Sequence, residues 1–127
     1  MNNERYERGL EKLREVDGEM GDKVIEALDA ISPDFGRLLI EFPFGDVYSR
    51  PQLSLKDREL VTIAALGAMG GCAPQLKVHV NGALNVGWTR EEIVESFIQL
   101  AVYAGFPAAL NALSGAKEVF DERDGND

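Results

Sequence analysis

Ser54-Leu55-Lys56-Asp57-Arg58-Glu59-Leu60-Val61-Thr62-Ile63-Ala64-Ala65-Leu66-Gly67-Ala68-Met69-Gly70-Gly71 carries a helix start, a helix body and a helix stop in one run. Ser54 followed three residues later by Asp57 resembles an N-cap. From Leu60 to Met69 the only polar side chain is Thr62, and Gly70-Gly71 ends the pattern. A helix apolar on nearly every side is expected in the interior of a helical protein.

The same period runs outward in both directions. Upstream, Tyr6, Leu10, Leu13 and Val16 step by three or four between charged residues and stop at Gly18. Asp22 is placed to cap a second helix carrying Ile25, Leu28 and Ile31. Ser32-Pro33 opens a third, with Phe35, Leu38, Leu39 and Phe42 as its apolar face. Pro43 and Gly45 break that face, and Phe44 to Pro51 reads as an aromatic-rich loop. Downstream, Pro74 suits a first helical turn, with Leu76, His79 or Val80, Ala83 and Leu84 inward and Gly87 at the end. Thr89 and Glu92 form a capping box, and Trp88 and Ile93 stand where a hydrophobic staple would join them. Ile93, Phe97, Leu100 and Ala104 follow. Gly105 and Pro107 open a last helix with Leu110, Leu113 and Phe120 inward, before a polar tail, Asp121 to Asp127, expected to fray. Nothing alternates with period two, so the expected class is all-α, with about six to seven helices in a single domain over 1–127.

With 22 acidic against 13 basic residues and a net charge of -9, the chain offers no footprint for a nucleic-acid backbone or an anionic membrane. No run approaches the roughly 20 apolar residues of a spanning helix, and the first residues lack a signal pattern. A single cysteine makes no internal disulfide. A cytoplasmic protein is the simplest expectation.

That cysteine, Cys72, and the single histidine, His79, lie seven residues apart. Two helical turns separate them by about 10 Å along an axis, too far for a direct hydrogen bond unless Cys72 lies off the helix start. His79 is the natural proton-transfer candidate; a core histidine with one satisfied nitrogen is the plain alternative. Glu59 lies in line with Ile63, Leu66 and Gly70, which turns its carboxylate toward a semi-buried region suited to acid or base work, unless an arginine simply pairs with it. Cys72 precedes a helix N-terminus, a position that favours an anion, although a small buried apolar residue in a tight turn is the commoner role for a lone cysteine. Gln75, four before His79, reaches it within one turn. Arg50, Arg58 and Lys77 are cations that could meet an anionic substrate or serve ordinary ion pairs. One histidine and one cysteine fall short of a metal-ligand set, no serine sits in a nucleophile elbow, and the glycines form no phosphate or dinucleotide loop.

Arg58 to Leu66, then His79 with Ala83 and Gly87, then Tyr103-Ala104-Gly105-Phe106-Pro107-Ala108-Ala109 resemble, in order and spacing, the carboxymuconolactone decarboxylase family. Phe44 to Pro51 is similar to the loop before that core, and Arg5 to Gly9 to the family's opening helix. The resemblance implies a compact, orthogonal helical bundle in a homo-oligomer, often a hexamer built as a trimer of dimers. It also implies one of two activities. One branch decarboxylates γ-carboxymuconolactone in aromatic catabolism with no metal or organic cofactor. The other, alkylhydroperoxidase D-like, is a thiol peroxidase with peroxiredoxin activity that uses Glu, Cys-x-x-Cys and a His. Glu59 and His79 match that glutamate and histidine and Cys72 the first cysteine, but Gln75 stands at the second. Any peroxidase cycle would therefore need an external thiol. For decarboxylation the resemblance implies His79 as proton donor, Glu59 as its partner, Arg58 or Arg50 on substrate carboxylate, and Gln75 or Tyr48 as a neutral hydrogen-bond donor. A non-catalytic helical assembly protein is the third class.

Overall fold

A computed structural model describes residues 3–125. It contains seven α-helices, one π-helical segment and, among the described residues, no strand. The chain divides into two compact units, Met1–Leu55 and Lys56–Asp127.

In the first unit α1 (Glu4–Asp17) starts at Asn3, whose side chain accepts from the Tyr6 amide, and ends at Gly18. Gly18 is at once the N-cap of α2 (Glu19–Asp29). The turn there is too tight for Asp22 to cap the helix; it lies in the first turn and meets Arg14 at 3.4 Å. Ile31 falls beyond α2 and is exposed. The helix α3 (Pro33–Leu39) starts as the sequence predicts, with Ser32 accepting from the Phe35 amide and Pro33 in the first turn. Its buried residue, however, is Gly36, followed by Ile40 and Phe44, while Phe35, Leu38 and Phe42 are exposed.

The expected loop, Phe44 to Pro51, is helical over its first half, where a π segment spans Ile40–Val47, and a turn after it. Pro43 has no N–H to give to an α-helical ladder, and the wider winding passes it, with the Tyr48 amide bonding back to the Pro43 carbonyl at 2.7 Å. The segment also crosses α1 at backbone contact. A Cβ on Gly9 would collide with the Ile40 carbonyl, and one on Gly45 would come within 2.5 Å of the Arg5 carbonyl oxygen. Only glycine permits that approach. Around it Leu13, Ile40 and Phe44 form a small core joined by Tyr6, Leu10, Ile25 and Tyr48.

The second unit holds most of α4 (Leu55–Met69), then α5 (Ala73–Asn85), α6 (Arg90–Ala104) and α7 (Phe106–Arg123). α4 begins directly after Ser54 and ends at Gly70-Gly71. Its burial is narrower than its composition suggests. Glu59, Ile63 and Gly67 are buried at intervals of four, whereas Val61 is 61% and Met69 72% exposed. Gly67 lets α4 close on α6 and α7, since a Cβ there would stand 2.9 Å from Leu100 Cδ2 and 3.4 Å from Ala112 Cβ. The capping box of α6 is formed reciprocally by Thr89 and Glu92. Ile93, Phe97 and Leu100 are buried, while Ala104 is exposed at the end of the stripe. In α7 the inward line is Ala109, Ala112, Ala116 and Val119; Leu110 is exposed and Leu113 and Phe120 are half-buried. Small residues let the helices approach more closely than a leucine line allows. The tail is ordered further than expected: α7 runs to Arg123, and Asp124 makes paired hydrogen bonds with Arg90 at 2.7 and 2.9 Å. Asn126 and Asp127 lie outside the described residues.

Candidate active site

Glu59 sits just past the first turn of α4, on the line that continues through Ile63 and Gly67 into the core. Helical spacing therefore carries an ionisable side chain inward, and its carboxylate is fully buried. A carboxylate this far from water needs hydrogen-bond donors. His79 supplies one from the middle of α5: its Nδ1 stands 3.0 Å from Glu59 Oε2 and 3.2 Å from Oε1. The imidazole is 19% exposed, so the pair has a buried anchor and a side open to water.

That geometry assigns the tautomer. Nδ1 faces two carboxylate oxygens, so Nδ1 carries hydrogen and donates, and Nε2 is the nitrogen whose protonation can change. A proton on Nε2 can pass to a carbon or oxygen atom brought against the ring.

Sequence reasoning placed Glu59 and His79 as partners, and they are in contact. Cys72 is the half-buried N-cap of α5 and makes no side-chain cap. It opens on a cavity of about 370 Å³ walled by Gly67, Leu76, Lys77, Asn111 and Glu118, whose lining includes neither Glu59 nor His79. Gln75 is exposed, one turn before His79. Arg58 is half-buried next to Glu59 in the chain, and its carbonyl accepts from Thr62 Oγ1 at 2.8 Å. Tyr48 and Arg50 belong to the first unit. There the Tyr48 ring packs 4.7 Å from that of Phe44, and Arg50 is exposed, its amide bonded to the Val47 carbonyl. Lys77 has a structural role: it pairs with Glu118 at 2.8 Å and Glu122 at 3.7 Å. The hydrogen bond to Glu118 holds its ammonium above the usual lysine range.

One residue carries more than its sequence pattern suggests. Trp88, read as half of a hydrophobic staple, also donates its indole N–H to the Lys56 carbonyl in the first turn of α4. The Lys56 ammonium lies 4.5 Å over the indole ring. Periodicity carries no signal for such a bond, which joins two helices through a single polar atom.

Comparison with known proteins returns one family and several relatives. The sequence model of the carboxymuconolactone decarboxylase family matches residues 33–118. A 4-carboxymuconolactone decarboxylase of Acinetobacter baylyi is 40% identical over 124 residues, covering 96% of this chain and 92% of that protein. An uncharacterised 15.0 kDa protein of Paracoccus denitrificans is 36% identical over 79% of this chain and 75% of its own length. A nitrosuccinic acid decarboxylase of Metarhizium robertsii is 30% identical over 85% and 76%.

Proposed function

The chain belongs to the carboxymuconolactone decarboxylase family, and from that footing we propose that it is a decarboxylase of a small carboxylated lactone of the γ-carboxymuconolactone class, acting in aromatic catabolism. The observation that carries this reading is the buried Glu59 carboxylate held 3.0 Å from Nδ1 of the only histidine in the chain. Two relatives named for decarboxylation of different acids support decarboxylation as the shared chemistry.

In the proposed reaction the bond between the ring carbon and its carboxylate breaks and carbon dioxide leaves. The bonding electron pair moves through the adjacent carbon–carbon double bond onto the lactone carbonyl oxygen, giving a dienolate. The lactone is thus its own electron sink. Imidazolium Nε2–H of His79 then protonates the carbon next to the carbonyl, which restores the carbonyl and yields the enol-lactone. Glu59 stabilises the imidazolium before transfer, and the neutral ring regains its proton from water. Arg58 or Arg50 is assigned to substrate carboxylate, since a guanidinium binds it in a two-pronged way. Gln75 or Tyr48 is assigned as a neutral donor to the developing enolate oxygen. The protein works in this reading as a single-domain subunit of a cytoplasmic homo-oligomer, a hexamer arranged as a trimer of dimers.

The test is a direct assay of carbon dioxide release and loss of lactone absorbance with purified protein, beside His79→Ala and Glu59→Gln. Turnover by the wild type that falls in both variants supports the assignment; unchanged turnover in both sinks it.

A further inference from the structure

The contact between Glu59 and His79 joins side chains on two helices, and its length depends on how α4 and α5 are held. Trp88 bonds to both helices. Its backbone N–H reaches the Ala83 carbonyl at 3.0 Å, while the amide of Gly87 reaches Leu84 at 3.2 Å. With Gly87 at φ 113, this is the paired hydrogen-bond ending of a helix that requires a left-handed residue, and it locks Trp88 onto the end of α5. The indole N–H of the same residue donates to the Lys56 carbonyl on α4.

Both landing points are informative. Ala83 lies four residues after His79, one turn along the same face of α5; Lys56 lies three residues before Glu59, one turn back on the same side of α4. One residue therefore hydrogen-bonds the turn adjacent to each member of the pair. The Lys56 ammonium also lies 4.5 Å over the indole face, a second contact between the same two residues. Trp88 is half-buried against the core that contains Ile93, and Thr89, the N-cap of α6, follows it directly. The indole thus has little freedom to swing away from Lys56.

We propose that Trp88 is a positioning residue for the reaction: its indole N–H clamps the start of α4 to the end of α5 and so sets the distance at which Glu59 meets His79. This deepens the decarboxylase reading and rests on its assignment of that pair. Without the indole N–H the two helices keep their apolar packing but lose a polar tie one turn from the pair. The carboxylate then holds Nδ1–H less constantly, and the imidazole samples the other tautomer.

The composition makes the experiment clean, because the chain has one tryptophan and one histidine. Replacing tryptophan throughout with benzothienylalanine puts sulfur in place of the indole N–H and preserves ring size. Trp88→Phe provides a second, genetically encoded version. In 15N-labelled protein the single imidazole reports its own tautomer and the exchange rate of Nδ1–H. Glu59→Ala gives the reference for a broken pair, and Thr89→Ala serves as control, because it removes a neighbouring cap and leaves the indole intact. The expected result is that Nδ1–H exchange speeds about tenfold or more in the benzothienyl protein and in Trp88→Phe. The kcat falls about ten- to hundredfold with little change in KM, as for a catalytic group displaced by a fraction of an ångström. Thr89→Ala, though less stable, keeps the wild-type imidazole spectrum. A benzothienyl protein that is folded and retains the wild-type Nδ1–H signature would overturn the clamp. The imidazole readout needs no substrate, so a wild type that fails to decarboxylate the lactone defeats the proposed reaction and leaves the clamp to be decided by the spectrum.

Discussion

Replacing Glu59 with glutamine changes one charge and almost no volume at the centre of the candidate site, and its two consequences should separate. Both carboxylate oxygens stand within 3.2 Å of His79 Nδ1. The glutamine carbonyl oxygen can still accept from Nδ1–H, but as a neutral partner. A neutral hydrogen bond contributes about 1 kcal/mol, against about 1.5–3 kcal/mol when one member is charged. The second oxygen becomes an amide NH2 facing an imidazole N–H at a fully buried position, and an ill-matched buried donor costs about 1–3 kcal/mol. Together these weaken the hold on the imidazolium by roughly 1.5–5 kcal/mol, which at 1.36 kcal/mol per decade lowers kcat by roughly 10- to 5,000-fold. Stability should move far less. The native state no longer carries the desolvation of an ionised carboxylate, which offsets much of the loss, so urea unfolding should shift by no more than about 2 kcal/mol in either direction. The assay pairs steady-state turnover of the lactone with equilibrium unfolding of the same preparation. A variant that unfolds like the wild type and keeps its turnover to within about threefold would refute the role of the Glu59 carboxylate. Turnover lost only in proportion to folded protein would do the same.

Three further outcomes follow from the structure. Gly9→Ala places a methyl group on the Ile40 carbonyl where α1 crosses the π segment. It should destabilise the first unit by about 1–3 kcal/mol or more, read as a lower urea midpoint and faster amide exchange in α1. Glu92 is held below its ordinary 4.5 chiefly by the hydrogen bond from the Thr89 amide, with help from the Thr89 hydroxyl. Its contribution to stability is therefore present above the unfolded value and lost as pH falls through the lower folded one. Thermal melts should show this acid-side decline in the wild type and a flatter profile in Glu92→Gln. Cys72→Ala should leave lactone turnover within about twofold, because the thiol opens on a cavity that neither Glu59 nor His79 lines; a large loss would move the chemistry toward the thiol.

Helix ends were the most legible part of the sequence, because they are local. Ser32-Pro33, Gly70-Gly71, Thr89 with Glu92, and Gly105 act through backbone atoms a few residues away, and each stands at an observed boundary. The pairing of Glu59 with His79 could be anticipated only from the family resemblance, which matches both positions; the residues alone offered an inward-facing carboxylate and a lone histidine, and an arginine partner for Glu59 fitted the pattern as well. Which apolar residues face inward was less legible. Phe35, Leu38 and Leu110 have the right spacing, yet Gly36 and a line of alanines take the buried positions, because close helix packing selects small side chains over large ones. The winding at Ile40–Val47 escaped notice for a different reason: Pro43 and Gly45 normally signal a break, and only the crossing by Gly9 of α1 explains why the chain keeps coiling there. Trp88 showed its apolar half in the sequence and hid its polar one, since nothing in the period of α6 indicates that the indole N–H will reach α4.

Decarboxylation of γ-carboxymuconolactone in deuterium oxide tests the central claim most directly, because the Glu59–His79 pair must deliver a solvent-derived hydrogen to one carbon. The wild type should release carbon dioxide and give enol-lactone carrying a single deuterium on one face of the carbon next to the carbonyl, with His79→Ala reducing that product by about a hundredfold or more. No carbon dioxide from the wild type, or product labelled on both faces at an undiminished rate in His79→Ala, would contradict it.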